Sequence, residues 1–221
     1  MGKSYQLLLI RDFRILIMAK ITSIQAQLKN KDRCNVFLDG EFAFSAPIDL
    51  VLSNNFKVGN EVLESNIKSL VYESDKRKAL EKSLAYVSKA IKTKRQVKDY
   101  LLRKGYSEEI AYYCIDKLKE YKFIDDAEYV KRYVENNSKT QGKRLYEYKL
   151  MMKGVKKEDI EKGVSELQID GKSNAQYVAE KYLKNKEITK ENLAKAYRYL
   201  VGKGFSYEEV DFAISKFKEE L

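Results

Sequence analysis

At 221 residues, with 44% hydrophobic and 34% charged side chains, the chain can bury a real core as one domain or two. One proline and ten glycines leave little room for linkers or low-complexity tracts. Lys and Arg outnumber Asp and Glu by 43 to 33, a balance that favours polyanions, whether nucleic acid or an acidic protein surface. The absence of histidine excludes imidazole acid–base chemistry and histidine-held metals.

Met1–Ile17 holds an apolar run, Leu7 to Ile10, broken at once by Arg11, Asp12 and Arg14. The run is too short for a signal-peptide core and far short of the roughly 20 apolar residues of a membrane span. Residues 1–18 are therefore set aside as an N-terminal extension, and no membrane segment is expected. Cys34 and Cys114 match no disulfide framework or metal spacing, which points to a reducing compartment, the cytoplasm.

From Ile21 to Phe44 the period is two. Ile24, Ala26 and Leu28 alternate with polar residues, as do Cys34, Val36 and Leu38, then Phe42 and Phe44. Asp39-Gly40 supplies a tight hairpin turn. Three short antiparallel strands are predicted, leaning on a helix over about Ile48–Ser53, with a further helix starting near Glu64. This unit is read as a stabilising cap or a docking element.

After Asp75 the period becomes helical. Three segments end in Lys-Gly: Thr93 to Gly105, Gly142 to Gly154 and Asn192 to Gly204, their glycines 49 and 50 residues apart. Thr93, Gly142 and Asn192 are acceptable N-caps, and each closing glycine suits a left-handed C′ position. Leu101, Leu150 and Leu200, four residues earlier, should face the core. A second helix follows each glycine, with apolar pairs Ile110/Cys114, Ile160/Val164 and Val210/Ile214. Ser206 with Glu209 forms a capping box, and Asp125/Glu128 and Ser173/Gln176 carry similar logic for a third helix preceding each segment. The predicted fold is mainly α: three tandem three-helix, helix-turn-helix-like repeats in an elongated array behind a small three-stranded antiparallel β motif. The boundaries are 19–72 for the β motif with its short helices, then 73–122, 123–170 and 171–221 for the repeats.

Lys76 to Lys104 carries eleven basic residues against Glu81 and Asp99; Lys139 to Lys157 carries seven against Glu147. Lys94-Arg95 and Lys143-Arg144 occupy equivalent first-turn positions, where cations oppose the helix dipole and so hint at an external anion. The third repeat has Leu193-Ala194 there instead. Tyr100, Tyr112, Tyr113, Tyr129, Tyr133, Tyr146 and Tyr148 are either core edges with a wet hydroxyl or stacking platforms for bases. Asp125-Asp126 reads as a helix start. There is no phosphate-cradling glycine motif and no convergent catalytic set, so no enzyme activity, cofactor or small-molecule substrate is expected.

Several ordered motifs resemble the bacterial RecX regulators. They are Ala79-Leu80 with Tyr86, the Leu-Leu-Arg-Lys-Gly ending at Gly105, Phe123 to Ala127, and Gly142 with Leu150 and Gly154; Ile21–Phe44 resembles that family's β motif. The resemblance covers about residues 20–221. Tyr121-Lys122 departs from it, standing where a glycine is common, and the third repeat lacks the Lys-Arg pair. What the resemblance implies is a modulator of the RecA recombinase that binds the RecA–DNA filament in its helical groove and restrains strand exchange, ATP hydrolysis and coprotease activity. Carried onto this sequence, contacts are expected at Lys92, Lys94, Arg95, Lys98, Arg103, Lys104, Arg132, Lys143, Arg144, Lys149 and Lys153. DNA contact through the basic face and a monomeric state are expected with it. A helix-turn-helix DNA-binding regulator and a protein-binding helical scaffold stay open; lysine-rich faces suit phosphate or carboxylate better than base edges.

Overall fold

The structure, a computed structural model, describes residues 18–28 and 30–219. Of the extension set at residues 1–18, residues 1–17 lie outside the described residues and Met18 begins the first strand. The described chain divides between Lys82 and Ser83 into two compact units.

The first unit carries a sheet of strands β1 (Met18–Ala26), β2 (Arg33–Leu38), β3 (Glu41–Pro47) and β4 (Glu61–Leu63), in the order β3-β2-β1-β4, all antiparallel. Asp39 and Gly40 both take positive φ in the hairpin between β2 and β3, as the pattern requires. The sheet packs on α1 (Ile48–Ser53) and the start of α2 (Glu64–Val87), burying Ile21, Cys34, Val36, Leu38, Val51, Ile67 and Val71. Arg33 ties sheet to helix, its guanidinium donating to both oxygens of Asp75 at 2.6 and 3.1 Å.

Two features differ from the sequence pattern. The fourth strand, β4, is three residues long and too short to show a period. The first strand buries Ala19 and Ile21, while Ala26 and Leu28 are exposed. A register shift between Ile21 and Ser23 changes which side chains face inward. A second shift between Val36 and Phe37 turns Phe42 outward, edge-on to Phe37.

In the second unit helices follow one another: α3 (Lys94–Arg103), α4 (Glu108–Glu120), α5 (Asp126–Asn137), α6 (Lys143–Met152), α7 (Lys157–Ser165), α8 (Gly171–Leu183), α9 (Lys190–Gly202) and α10 (Tyr207–Lys218). Leu101, Leu150 and Leu200 are fully buried, as their spacing before the glycines predicts. Gly105, Gly154 and Gly204 all take the left-handed conformation, φ +76° to +87°, that ends α3, α6 and α9. Val130, Val134, Tyr146, Leu150 and Ile160 form the core of α5–α7; Ala179, Leu193, Leu200, Phe205, Val210 and Ile214 form that of α8–α10.

Thr93 and Gly142 begin their helices as expected, and Ser206 with Glu209 forms a full capping box. The third segment departs. Thr189, not Asn192, caps α9, its hydroxyl accepting from the Asn192 amide. Starting one turn earlier places Leu193, Ala196 and Leu200 on one buried face. Likewise Asp170, not Ser173, caps α8: its carboxylate accepts from both the amide and the hydroxyl of Ser173.

Candidate partner-binding surface

Helices α3 and α6 carry most of the expected contact residues, and their apolar spacing decides which way those residues point. Val97 and Leu101 face the core from α3, as Tyr146 and Leu150 do from α6, so the intervening cations lie outward.

The helix starts are not simply open to solvent. Thr93 closes a capping box with Gln96, and its hydroxyl also donates to the Lys153 carbonyl at 2.9 Å. Three helices later, at the start of α6, a similar joint recurs: the Gly142 amide donates to the Lys203 carbonyl and the Arg144 amide to the Gly204 carbonyl, at 2.9 and 3.1 Å. The second and third Lys-Gly turns thus seat the starts of α3 and α6, and at α6 the turn carbonyls satisfy amides that a helix start leaves free. At Gly204 and Gly142 the approach is so close that a Cβ on either would overlap the opposing backbone.

Lys94 is consumed in this joint. Its amide donates to Asp126 at 2.9 Å, and its ammonium reaches Asp159 at 3.3 Å and Asp126 at 3.7 Å. The anion that its first-turn charge implied is therefore present within the chain. Burial pushes the Asp126 carboxyl above its usual range, against the lowering effect of Lys94. Sequence reasoning read Asp126 only as part of a helix start and missed Asp159; their convergence depends on a turn that no local pattern describes.

Arg95, beside it, keeps its guanidinium exposed, with only a long 3.8 Å approach to Asp99, and lays its stem against Gly154. Arg95 and Lys153 are thereby brought to one joint. Lys143, at the position equivalent to Lys94, has no buried acid to meet: Gly171 stands first in α8, where Asp126 stands first in α5. It is exposed, with Glu147 at 3.8 Å. Arg144 lies over the Tyr207 ring at 5.2 Å. Lys149 donates to Gln141 at 3.2 Å.

Lys98 turns toward α4, where its ammonium donates to the Tyr112 hydroxyl at 2.8 Å and pairs with Glu108 at 3.1 Å. These two partners hold its pKa above the usual lysine value. Arg103 and Lys104 sit at the far end of α3, both exposed, Lys104 with the Tyr100 ring at 5.8 Å. Lys92 lies over the Tyr86 ring at 5.0 Å. Arg132, on α5, donates to Glu128 at 2.7 Å and lines an open groove of about 360 Å³ with Ile91, Tyr129 and Tyr133. The cations thus spread over several faces.

The tyrosines divide. Tyr146 is core, its pKa pushed up to about 12 by burial; Tyr100 stacks on Tyr86 at 4.2 Å. Tyr112 and Tyr148 are more than half exposed. With Met151 and Met152, Tyr148 forms an exposed apolar stripe on α6 that charge counting overlooked; its spacing after Arg144 is the signal that marks it. Among the described residues no group of three or more acidic or cysteine side chains could hold a metal ion, and no helix is long and apolar enough to cross a membrane.

Three family models match the chain: the regulatory protein RecX N-terminal domain over residues 19–63, the first RecX three-helix domain over 79–118 and the third over 170–214. Similar proteins include regulatory protein RecX of Clostridium botulinum (strain Alaska E43 / Type E3), 38% identical over 196 residues that cover 86% of this chain and 92% of that one. Regulatory protein RecX of Clostridium beijerinckii is 34% identical over 204 residues, covering 90% and 96%. A crystal structure of regulatory protein RecX superposes with a TM-score of 0.61 at 26% identity, covering 90% of this chain and 99% of that one.

Proposed function

Because this chain belongs to the RecX family of regulatory proteins, we propose that it acts by binding RecA and the RecA–DNA filament and modulating the recombinase, ATPase and coprotease activities of that filament. The filament's helical groove is the binding place, and the work is done by contact, not by chemistry. The contact residues are the exposed cations, with Arg95, Lys143 and Arg144 foremost. DNA is touched through phosphate, the sequence-independent partner of exposed cations that spread over several faces.

The observation that carries this reading, beyond family membership, is the repetition. Cations recur at one helical position in the equivalent helices α3 and α6, and at each the guanidinium of Arg95 or Arg144 stays exposed while the helix start is bonded within the chain. Lys94, already matched by Asp126 and Asp159, supports the joint more than the contact.

The test is inhibition of RecA ATPase on single-stranded DNA by the wild-type protein and by R95E–K143E–R144E. The triple reversal is expected to raise the concentration needed for half-inhibition about tenfold or more, since each exposed pair contributes up to about 1 kcal/mol and reversal adds repulsion. Unchanged inhibition would show the wrong face. Binding to bare DNA, RecA alone and the filament, each at two salt concentrations, separates the three classes: filament preference supports this reading, and sequence-selective duplex binding overturns it.

A further inference from the structure

Leu193 and Ala194 stand where the first two segments place Lys94-Arg95 and Lys143-Arg144, counted back from the closing glycine. In α3 and α6 the start of the helix is joined there to the next Lys-Gly turn. In α9 it is open. Between α9 and the end of α10 lies a groove of about 760 Å³. Leu193, Ala194, Tyr197 and Ile214 form its floor, and Lys190, Arg198 and Lys218 its rim. No acidic side chain lines it, and none of the three rim cations makes an ion pair among the described residues. Glu191, next to Lys190 in sequence, is held by Lys195 at 2.7 Å.

An apolar floor with a basic rim specifies its occupant by complementarity. We infer that this groove binds an acidic, amphipathic peptide segment of a partner protein, seating one or two large apolar side chains on Leu193, Ala194 and Ile214 and placing carboxylates against Lys190, Arg198 and Lys218. The surface continues the face that, in the two upstream joints, is covered by protein backbone, so its geometry suits a polypeptide. Its floor is aliphatic, with Tyr197 the one aromatic ring, whereas a strand of nucleic acid takes a succession of stacking platforms. A second copy of this chain, docking as the internal repeats do, would meet the extra first turn of α9, Lys190 to Asn192, which α3 and α6 lack at that point.

The inference is independent of the RecA reading, and its test contains no RecA. A fluorescein-labelled amphipathic peptide, with leucine and phenylalanine on one face and glutamate on the other, is titrated with the full-length protein and followed by anisotropy. Saturable binding is expected, weakened about tenfold by R198E–K218E and by Ala194→Glu, but not by K143E–R144E. A peptide with glutamine in place of glutamate should bind more weakly. Ala194 is exposed, so its substitution leaves the fold intact, which circular dichroism checks. The inference is overturned by no binding by the wild type, by groove variants that bind as tightly as the wild type, or by displacement of the peptide by a DNA oligonucleotide that is itself sensitive to Ala194→Glu. A concentration-dependent dimer dissolved by Ala194→Glu would assign the groove to a second copy and overturn it as well.

Discussion

The hydroxyl of Thr93 accepts from the amide of Gln96 and donates to the carbonyl of Lys153, sixty residues away, so one side chain both caps a helix and joins it to the next turn. Replacing it tests both roles. Thr93→Val should destabilise the protein by about 2 kcal/mol, the sum of a lost cap and a buried carbonyl left unmatched, while Thr93→Ser should lose far less. Urea unfolding of the three proteins provides the comparison, and equal midpoints would dismiss the joint as a stabilising element.

The three closing glycines share a conformation but not a neighbourhood. A Cβ at Gly105 meets nothing, whereas at Gly204 it would overlap Leu145, including backbone. Gly105→Ala should therefore cost only the left-handed strain, about 1–2 kcal/mol. Gly204→Ala should cost clearly more, because α6 must also shift. Thermal unfolding orders the two, and a reversed order would contradict the seating of α6 on this turn.

Lys122 adopts φ +59° without being a glycine. Lys122→Gly relieves the steric strain but frees the unfolded chain, so the net gain should be modest, about 0.5–1 kcal/mol. A lower melting temperature in the variant would show that the Lys122 side chain contributes contacts exceeding that strain.

Asp126 has a folded-state pKa raised above 3.8, chiefly by burial. The folded protein therefore holds this proton more tightly than the unfolded chain. The contribution is present below 3.8 and is lost as pH rises through the folded value, so ionised Asp126 costs stability at neutral pH. Asp126→Asn keeps an acceptor for the Lys94 amide and removes the titration. The stability of wild type relative to Asp126→Asn should thus fall from pH 3.8 upward and then level off. A relative stability that rose over that range would mean that the Lys94 ion pair outweighs burial.

Much of the architecture was legible in the residues. The helical period after Asp75, the Lys-Gly endings and the hairpin at Asp39-Gly40 are local, because a turn glycine and an i,i+4 apolar pair act within a few residues. Thr189 and Asp170 were passed over as caps for the same reason in reverse: several residues near each helix start could cap it, and burial of Leu193 and Ala175 selects among them. In the sheet, two register shifts change the inward parity, and alternation alone does not locate a shift.

The expected contact surface shows the same division. Composition and spacing by themselves determined that Lys94-Arg95 and Lys143-Arg144 are equivalent pairs and that Leu193-Ala194 breaks the series. Only the tertiary structure decided that Lys94 is neutralised by Asp126 and Asp159, that Lys143 stays exposed, and that Leu193 and Ala194 floor an open groove. A charge's identity is written in the chain, but its partner is set by which distant turn folds against it, and a Coulomb interaction depends on that distance rather than on sequence separation.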